Sequence, residues 1–497
     1  MKNKKKILIL AAIFSASLAS AQPKLEIAQG ERDTVTSSRH YIVCITEPGN
    51  RAEINGVAVP VYRTGAFGTE MRLKEGANKV SVKVSNGKEQ TVKDFTVVYS
   101  TAERAAERKY TLEEARKKLA ENTLVECSET VETIEGAYLQ YGYEGDRLGG
   151  SKMGYLEPGI VLKAVGRIRD LYKVQLSSNR FAYIPKEYVK ESSGDFTAVN
   201  TGSISVSNGG SFDRIFISLP KRVPYAYTTK QDPTEIDIDI FGAMNNSNWV
   251  TQSSDLGMIE FADVQQIDSD VFRVAIRLKE KYSWGFSVSY SGNNLVITVR
   301  HSPALTLKGM KIGLDAGHGG PESLGAVSVT GIHEADVNLS IVYEIKKILE
   351  SKGAVVTLSR TGDYGVDMAE RKRIFREADV DLMVSVHNNA GGSPIKPMGT
   401  STYYKYITNR ELSSCLLKRM IELKVPNYGL TGNFNFSLGG ATEYPNALVE
   451  CMFMSSLPDE DKLADQAFLK SIAVKVVAGI EDYVEKVAKA NAASKRK

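Results

Sequence analysis

The chain has 497 residues, 42% of them hydrophobic and 25% charged, a balance that supports packed cores and excludes wholesale disorder. Its formal charge of +4 equals the contribution of Lys2, Lys4, Lys5 and Lys6, because residues 7–21 carry no charge. The remainder is formally neutral, which removes any electrostatic case for nucleic-acid binding.

Those lysines precede an apolar run from Ile7 to Leu18 and the small-residue stretch Ala19-Ser20-Ala21. This is the pattern of a secretory signal peptide covering residues 1–21. Gln22 and not a cysteine stands directly after the expected cleavage site, and no later apolar stretch is long enough to span a bilayer. The mature protein is therefore expected to be exported, to periplasm or cell wall, without a transmembrane segment. A chain of this length predicts three or four domains.

Residues 22–100 alternate short apolar runs with turn signals. Asn55-Gly56 and Asn86-Gly87 read as hairpin turns. Val80, Val82 and Val84 alternate before the second turn, and Phe95, Val97 and Tyr99 after it. A small immunoglobulin-like sandwich is predicted. Residues 101–125 are rich in Ala, Glu, Arg and Lys at helical spacing and predict a connecting helix. Residues 126–195 return to β character. They run through Glu135-Gly-Ala-Tyr-Leu139, Leu156-Glu-Pro-Gly-Ile-Val-Leu162, Leu171-Tyr-Lys-Val-Gln175 and Phe181-Ala-Tyr-Ile184. That order resembles the bacterial Src-homology-3-like domains of cell-wall enzymes, with Leu171 and Tyr183 at positions usually aromatic and Trp.

In residues 196–302 the runs Arg214–Leu219, Glu235–Ile240, Phe272–Leu278 and Leu295–Val299 alternate with period two. Such strands have one apolar and one wet face. The segment is similar to the AMIN domain, a wall-targeting module of envelope proteins. Trp284 and Phe286 are candidates for stacking on sugar rings, although aromatic residues at this spacing more often belong to the core.

Residues 305–490 alternate strand and helix, which predicts a mostly parallel sheet flanked by helices. Lys311–Leu314 reads as a strand ending in the glycine-rich turn Asp315-Ala-Gly-His-Gly-Gly320. Glu334 opens a helix whose apolar stripe is Val337, Ile341, Val342, Ile345, Ile348 and Leu349. Ala354–Ser359 is a strand, Met368–Ala378 a charged helix, and Asp381–His387 a strand. Ser401–Tyr406 is a strand, Arg410–Leu423 a helix, Asn446–Glu450 a strand continuing to Met452, and Leu463–Val484 a terminal helix. The fold class expected is thus multidomain, three small all-β modules followed by this α/β domain.

Strand ends followed by glycines are where α/β proteins place chemistry. His318, Glu334, His387 and Glu450 all lie at strand ends or at the helix entry after a strand. Two histidines and one glutamate can hold Zn²⁺ and leave its fourth position open to water. A second glutamate then serves as general base and acid. That chemistry is amide hydrolysis.

The motifs of this last domain resemble the zinc-dependent N-acetylmuramoyl-L-alanine amidases. The matching stretches are Leu314–Gly320, Gly325-Ala326 with Glu334–Leu339, Leu358-Ser-Arg360 with Asp363, Ala378–Ala390, and Pro445–Ser456. The resemblance implies that His318, Glu334 and His387 are zinc ligands and Glu450 the catalytic acid/base. It also implies peptidoglycan as substrate, the bond between N-acetylmuramic acid and L-alanine being cleaved in cell-wall remodelling such as daughter-cell separation. Departures fall at Ala316, Ala335, Met452 and Ser456, none of them an inferred ligand. His333 adjoins Glu334, but neighbouring helix-start residues point in different directions. Asp315 and Asn389 are expected to hold the ligands from behind.

Two rival readings are a zinc peptidase acting on stem peptides and a catalytically silent wall-binding protein. Expected partners are peptidoglycan and envelope or division proteins. The four cysteines, Cys44, Cys127, Cys415 and Cys451, form no C-x-x-C pattern, and the pairing of Cys415 with Cys451 is open in an exported protein. Between His387 and Glu450 no additional amphipathic helix is visible. A fragment from about Leu307 is therefore expected to be active without an activator, the β modules supplying wall attachment. The loop Asn433–Phe436 is expected to line or cover the groove.

Overall fold

The computed structural model describes residues 22–32, 34–121, 123–145, 148–232 and 234–494. The expected signal peptide lies outside them. None of the described helices is long and apolar enough to cross a membrane. The chain divides into two compact units, one ending at Thr101 and the other beginning at Ala102.

The first unit is a two-sheet sandwich. A three-stranded sheet (Glu26–Gln29, Arg39–Ile45, Ala66–Arg72) faces a five-stranded one built around the long hairpin Gly76–Ser85 and Gln90–Tyr99. Period-two alternation turns Val80, Val82 and Val84 inward against Ile42, Cys44 and Phe67. Asn55 and Gly56 both take positive φ, 51° and 76°, the two-residue turn that suits a twisted hairpin.

The second unit starts within the helix Thr101–Glu121. A seven-stranded antiparallel sheet follows, from Val125–Thr133 to Val189–Glu191. Next come a five-stranded sheet that includes Phe212–Ile217 and Asn294–Arg300, and a four-stranded sheet centred on Thr234–Phe241 and Val271–Leu278. Ile236, Ile238 and Ile240 are fully buried, as their alternation requires.

The C-terminal α/β part contains β1 (Lys311–Ala316), α1 (Glu334–Ser351), β2 (Val355–Leu358), α2 (Met368–Glu377), β3 (Leu382–Asn389), β4 (Thr400–Tyr403), α3 (Arg410–Met420), β5 (Asn427–Thr431), β6 (Asn446–Phe453), α4 (Leu457–Leu463) and α5 (Gln466–Ser494). The sheet order is β2-β1-β3-β6-β4-β5. Neighbours from β2 to β6 pair in parallel, β6 and β4 antiparallel, and β4 and β5 in parallel. Both β3 and β6 outrun the expected strand ends, so His387 and Glu450 sit inside strands rather than at their last residue. The short strand β5 has no apolar alternation, and Gly429 within it takes a φ of 142°, so only its pairing with β4 reveals it.

One large hydrophobic core joins the β sheets of the second unit to its α/β part, and a smaller cluster around Phe375, Val380 and Tyr444 lies apart from it. Trp284 is fully buried against Tyr483 of α5, ring centroids 5.8 Å apart. Phe286 is also buried, and its amide donates to the Thr442 carbonyl at 2.7 Å. Both aromatics are core residues, as their spacing favours. Arg300 fastens the same boundary, donating to the Val380 carbonyl at 2.9 Å and pairing with Asp381 at 2.9 Å. Trp284→Ala is expected to cost about 3–5 kcal/mol. Urea unfolding should show it as a loss from the whole second unit; a loss confined to residues before 302 would contradict the shared core.

Candidate metal centre

β1, β3 and β6 lie side by side, with Ala316 in register with Val386 and His387 with Glu450. Just past β1, His318 takes a φ of 63°, a left-handed conformation unfavourable for any side chain with a Cβ. Its surroundings impose it. Arg371 Nη2 donates to the His318 carbonyl at 2.6 Å, and the Gly319 amide donates to the Ser323 carbonyl at 2.8 Å. Gly317 has to be glycine, since an added Cβ would lie 2.2 Å from the His387 ring. Gly325 is constrained too, by a φ of 72° and by Glu334 Oε2 at 2.5 Å from where a Cβ would be.

Glu334 is the first residue of α1 and is 4% exposed. Its Oε1 lies 3.0 Å from His387 Nδ1 and 3.4 Å from His318 Nε2. It also accepts from the Asn388 amide at 3.1 Å and from Asn338 Nδ2 at 3.2 Å. Oε2 accepts the Ala326 amide at 2.8 Å. Burial by itself would raise this carboxyl, but its hydrogen bonds to His318 and His387 hold it far below the ordinary carboxylate range. Burial works to lower His387, while the Glu334 hydrogen bond and the Glu450 charge raise it above the usual imidazole value.

Donor atoms of His318, Glu334 and His387 all lie within 4.8 Å of one another. The two imidazole centroids are 4.9 Å apart, nearly perpendicular. Two imidazoles and one carboxylate at this spacing can hold a tetrahedral cation. Glu450 stands one strand away, beside His387, on the strand register that places their Cα atoms as neighbours. His333, by contrast, caps α1 and lies 3.7 Å from Asp336 on the partly exposed side. His40 and His301 serve other parts of the chain, His40 bonding the Gly30 carbonyl and His301 bonding Asp213.

The support behind these groups differs from expectation. Asp315 pairs with Arg371 at 2.5 Å and accepts from Ser385 at 2.5 Å. Asn389 points its amide at the Tyr403 hydroxyl, 3.4 Å away. The residues that actually brace Glu334 are Asn338 and Asn388, joined to each other at 2.9 Å. Asn338 lies one helical turn after Glu334, a polar residue interrupting an apolar stripe, and that interruption was the available signal. Arg360 and Arg371, both buried, bind the β1 turn from beneath: Arg360 donates to the Ala316 carbonyl at 2.9 Å and Arg371 at 2.8 Å. All four cysteines are free. Burial pushes the Cys415 thiol up to about 12 and that of Cys451 well above its usual value, which suits packing rather than nucleophilic attack.

The loop 433–436 is tied on both sides. Phe434 packs on Tyr403 with centroids 4.5 Å apart, and Tyr403 bonds Ser401, whose register partner is Glu450. Asn435 reaches the other way and donates to the Gly150 carbonyl at 2.6 Å.

Residues 312–482 match the family of N-acetylmuramoyl-L-alanine amidases, and residues 203–299 match the AMIN domain. The C-terminal part of this chain is an N-acetylmuramoyl-L-alanine amidase domain. Among curated proteins, YqiI of Bacillus subtilis is 29% identical over 204 residues, covering 40% of this chain and 97% of that protein. The N-acetylmuramoyl-L-alanine amidase LytC of the same organism is 31% identical over 180 residues, 35% of this chain, which spans only 36% of LytC. Among solved structures, the amidase AmiC2 of Nostoc punctiforme is 27% identical, with 35% of this chain and 97% of that one covered and a TM-score of 0.34.

Within the amidase domain, Asp315 offers a stability test. Burial would raise its carboxyl, but the Arg371 charge keeps it below the ordinary value. A carboxyl lowered by folding stabilises fully above its unfolded pKa, about 4, and that contribution fades as the pH falls toward the folded value. Asp315→Asn leaves Arg371 unpaired in the core and is expected to cost about 3–5 kcal/mol at pH 7. Below about pH 4 the gap between variant and parent should narrow; urea midpoints measured across pH check both statements.

Proposed function

We propose that this protein hydrolyses the amide bond between N-acetylmuramic acid and L-alanine in peptidoglycan, using zinc held by His318, Glu334 and His387. The observation that carries the reading is the convergence of those three donor sets within 4.8 Å beside Glu450, inside a domain matching amidases. When bound there, zinc supplies a Lewis acid that polarises a carbonyl and acidifies water. The chain's own groups do the rest. Glu334, fixed by Asn338 and the Asn388 amide, and the strained His318 turn keep the donor set in place before metal arrives. Glu450 takes the proton of the attacking water and returns it to the leaving nitrogen.

On the same reading the protein is exported and acts in the periplasm or wall. Residues 22–100 are an immunoglobulin-like module, 126–195 a Src-homology-3-like barrel and 196–302 the AMIN module. The zinc peptidase reading uses the same groups on a different amide. Mass spectrometry of digested peptidoglycan separates the two: free lactyl groups with intact stems support the amidase, and cut stems overturn it.

His318→Ala and His387→Ala should each lose zinc and turnover together, because three protein ligands are the usual minimum for such a site. Elemental analysis showing full zinc in both variants would reject this donor set. Glu450→Gln should keep zinc and fold while turnover falls by about 10²–10⁴-fold. Near-normal turnover with zinc retained would assign proton transfer to another group.

A further inference from the structure

Away from the metal centre, a cavity of about 420 Å³ opens where three parts of the second unit meet. Its walls come from the seven-stranded sheet (Tyr138, Lys152, Tyr155), from the AMIN domain (Tyr227), and from the amidase domain (Lys372, Tyr444). Cavities of this size at domain boundaries are where small ligands bind.

The charge pattern narrows the ligand. Lys152 Nζ lies 4.3 Å from the Tyr138 ring centroid and 3.4 Å from the Tyr155 hydroxyl. Lys372 Nζ lies 4.3 Å from the Tyr155 ring centroid. Lys405 stands behind them, close enough that burial and the charge of Lys152 lower it. Among the described residues its ammonium donates to the side-chain oxygens of Asn433 and Asn435, at 3.0 and 3.1 Å. None of the three lysines forms an ion pair among the described residues. The acidic groups of this cavity are Glu135, Glu157 and Glu443, and Glu443 is already paired with Arg376 at 3.1 Å. Glu135 and Glu157 line the same cavity, but neither forms an ion pair with Lys152 or Lys372 among the described residues. Ring faces offset part of the cost of holding these two ammonium groups near each other, and the end of the cavity between them favours an anion. Burial would raise the Tyr155 phenol, yet Lys372 and Lys152 bring it below its ordinary value, which reports the same excess of positive charge.

We propose that this cavity binds a carboxylate-bearing peptide of the wall polymer, the carboxylate seated between Lys152 and Lys372 and the peptide chain lying on the tyrosine faces. The identity of the polymer rests on the amidase reading; the anion site does not. Because Lys405 also holds Asn433 and Asn435, the bound peptide would sit next to the loop that packs on Tyr403.

The test uses the mature chain with zinc removed by a chelator, so that turnover does not interfere. Calorimetric titration with sugar-free stem peptides carrying free carboxylates should show binding. Amidating those carboxylates, or introducing Lys152→Met with Lys372→Met, should weaken it about tenfold or more, as expected when a charged hydrogen-bonding partner is lost. The zinc-loaded double variant should still hydrolyse a soluble muramyl-peptide at close to the parental rate. Equal affinity for free and amidated peptides overturns the proposal, and that comparison uses the parent chain, so it holds even if the double variant fails to fold. Displacement of the peptide by inorganic phosphate at equal concentration also overturns it, in favour of a phosphate site. If carboxylate-dependent binding persists but muramyl-peptide is never cleaved, the amidase reading fails while the anion site stands.

Discussion

The buried guanidinium of Arg371 is the interaction on which the candidate metal centre depends. Its donors reach Asp315, the Ala316 carbonyl and the His318 carbonyl, so one side chain joins the last residues of β1 to the turn beyond it. Without it, the left-handed backbone at His318 has little to oppose relaxation, since that conformation is unfavourable for a residue with a Cβ. A buried charge tolerates this position because all three of its nitrogens donate, with four of the bonds, the Val366 carbonyl included, going to backbone or carboxylate oxygens. Arg360 repeats the arrangement one layer over, bonding the Ala316, Gly317 and Ala335 carbonyls. The turn that carries one imidazole and the helix start that carries the carboxylate are thereby fixed to each other before any ligand is bound.

Much of this was legible in the sequence, and the reason is local. Glycines at 317, 319 and 320 around His318, and a glutamate at the first position of an apolar-striped helix, follow rules of backbone geometry that a short window contains. The alternation of Val80, Val82 and Val84, or of Ile236, Ile238 and Ile240, is likewise a local pattern imposed by a buried sheet face. What escaped was non-local. Helix α2 reads as charged, yet Arg371 on it is buried because Asp315, 56 positions earlier, awaits it. Asn388 and not Asn389 braces Glu334, because a one-residue step along a strand reverses the side chain's face. Strand β5 exists through its partner β4 rather than through its own residues.

The relation between the β segments and the amidase domain is also invisible to local pattern. A sequence reading gives beads joined by linkers, each with its own core. In the second unit the larger core is instead continuous, and Trp284, Tyr483, Phe286 and Arg300 lie on the seam. Apolar surface buried across that seam makes cooperative unfolding the physical expectation. Loop 433–436 adds a polar tie, with Asn435 bonded to Gly150 on one side and Phe434 packed on Tyr403 on the other.

This seam bears on how such a protein can change over evolutionary time. Modules joined by exposed linkers can be exchanged between genes with little penalty, because each brings a finished surface. Here the close approach of Gly285 to the backbone of Glu443, where an added Cβ would lie 2.3 Å from the carbonyl carbon, leaves no room for an unrelated partner. A transplanted amidase domain would arrive without the seat for Trp284, and a transplanted AMIN domain without the indole that covers Tyr483. The two halves are therefore expected to be inherited as a pair, and to accumulate matched substitutions on the two sides of their common wall.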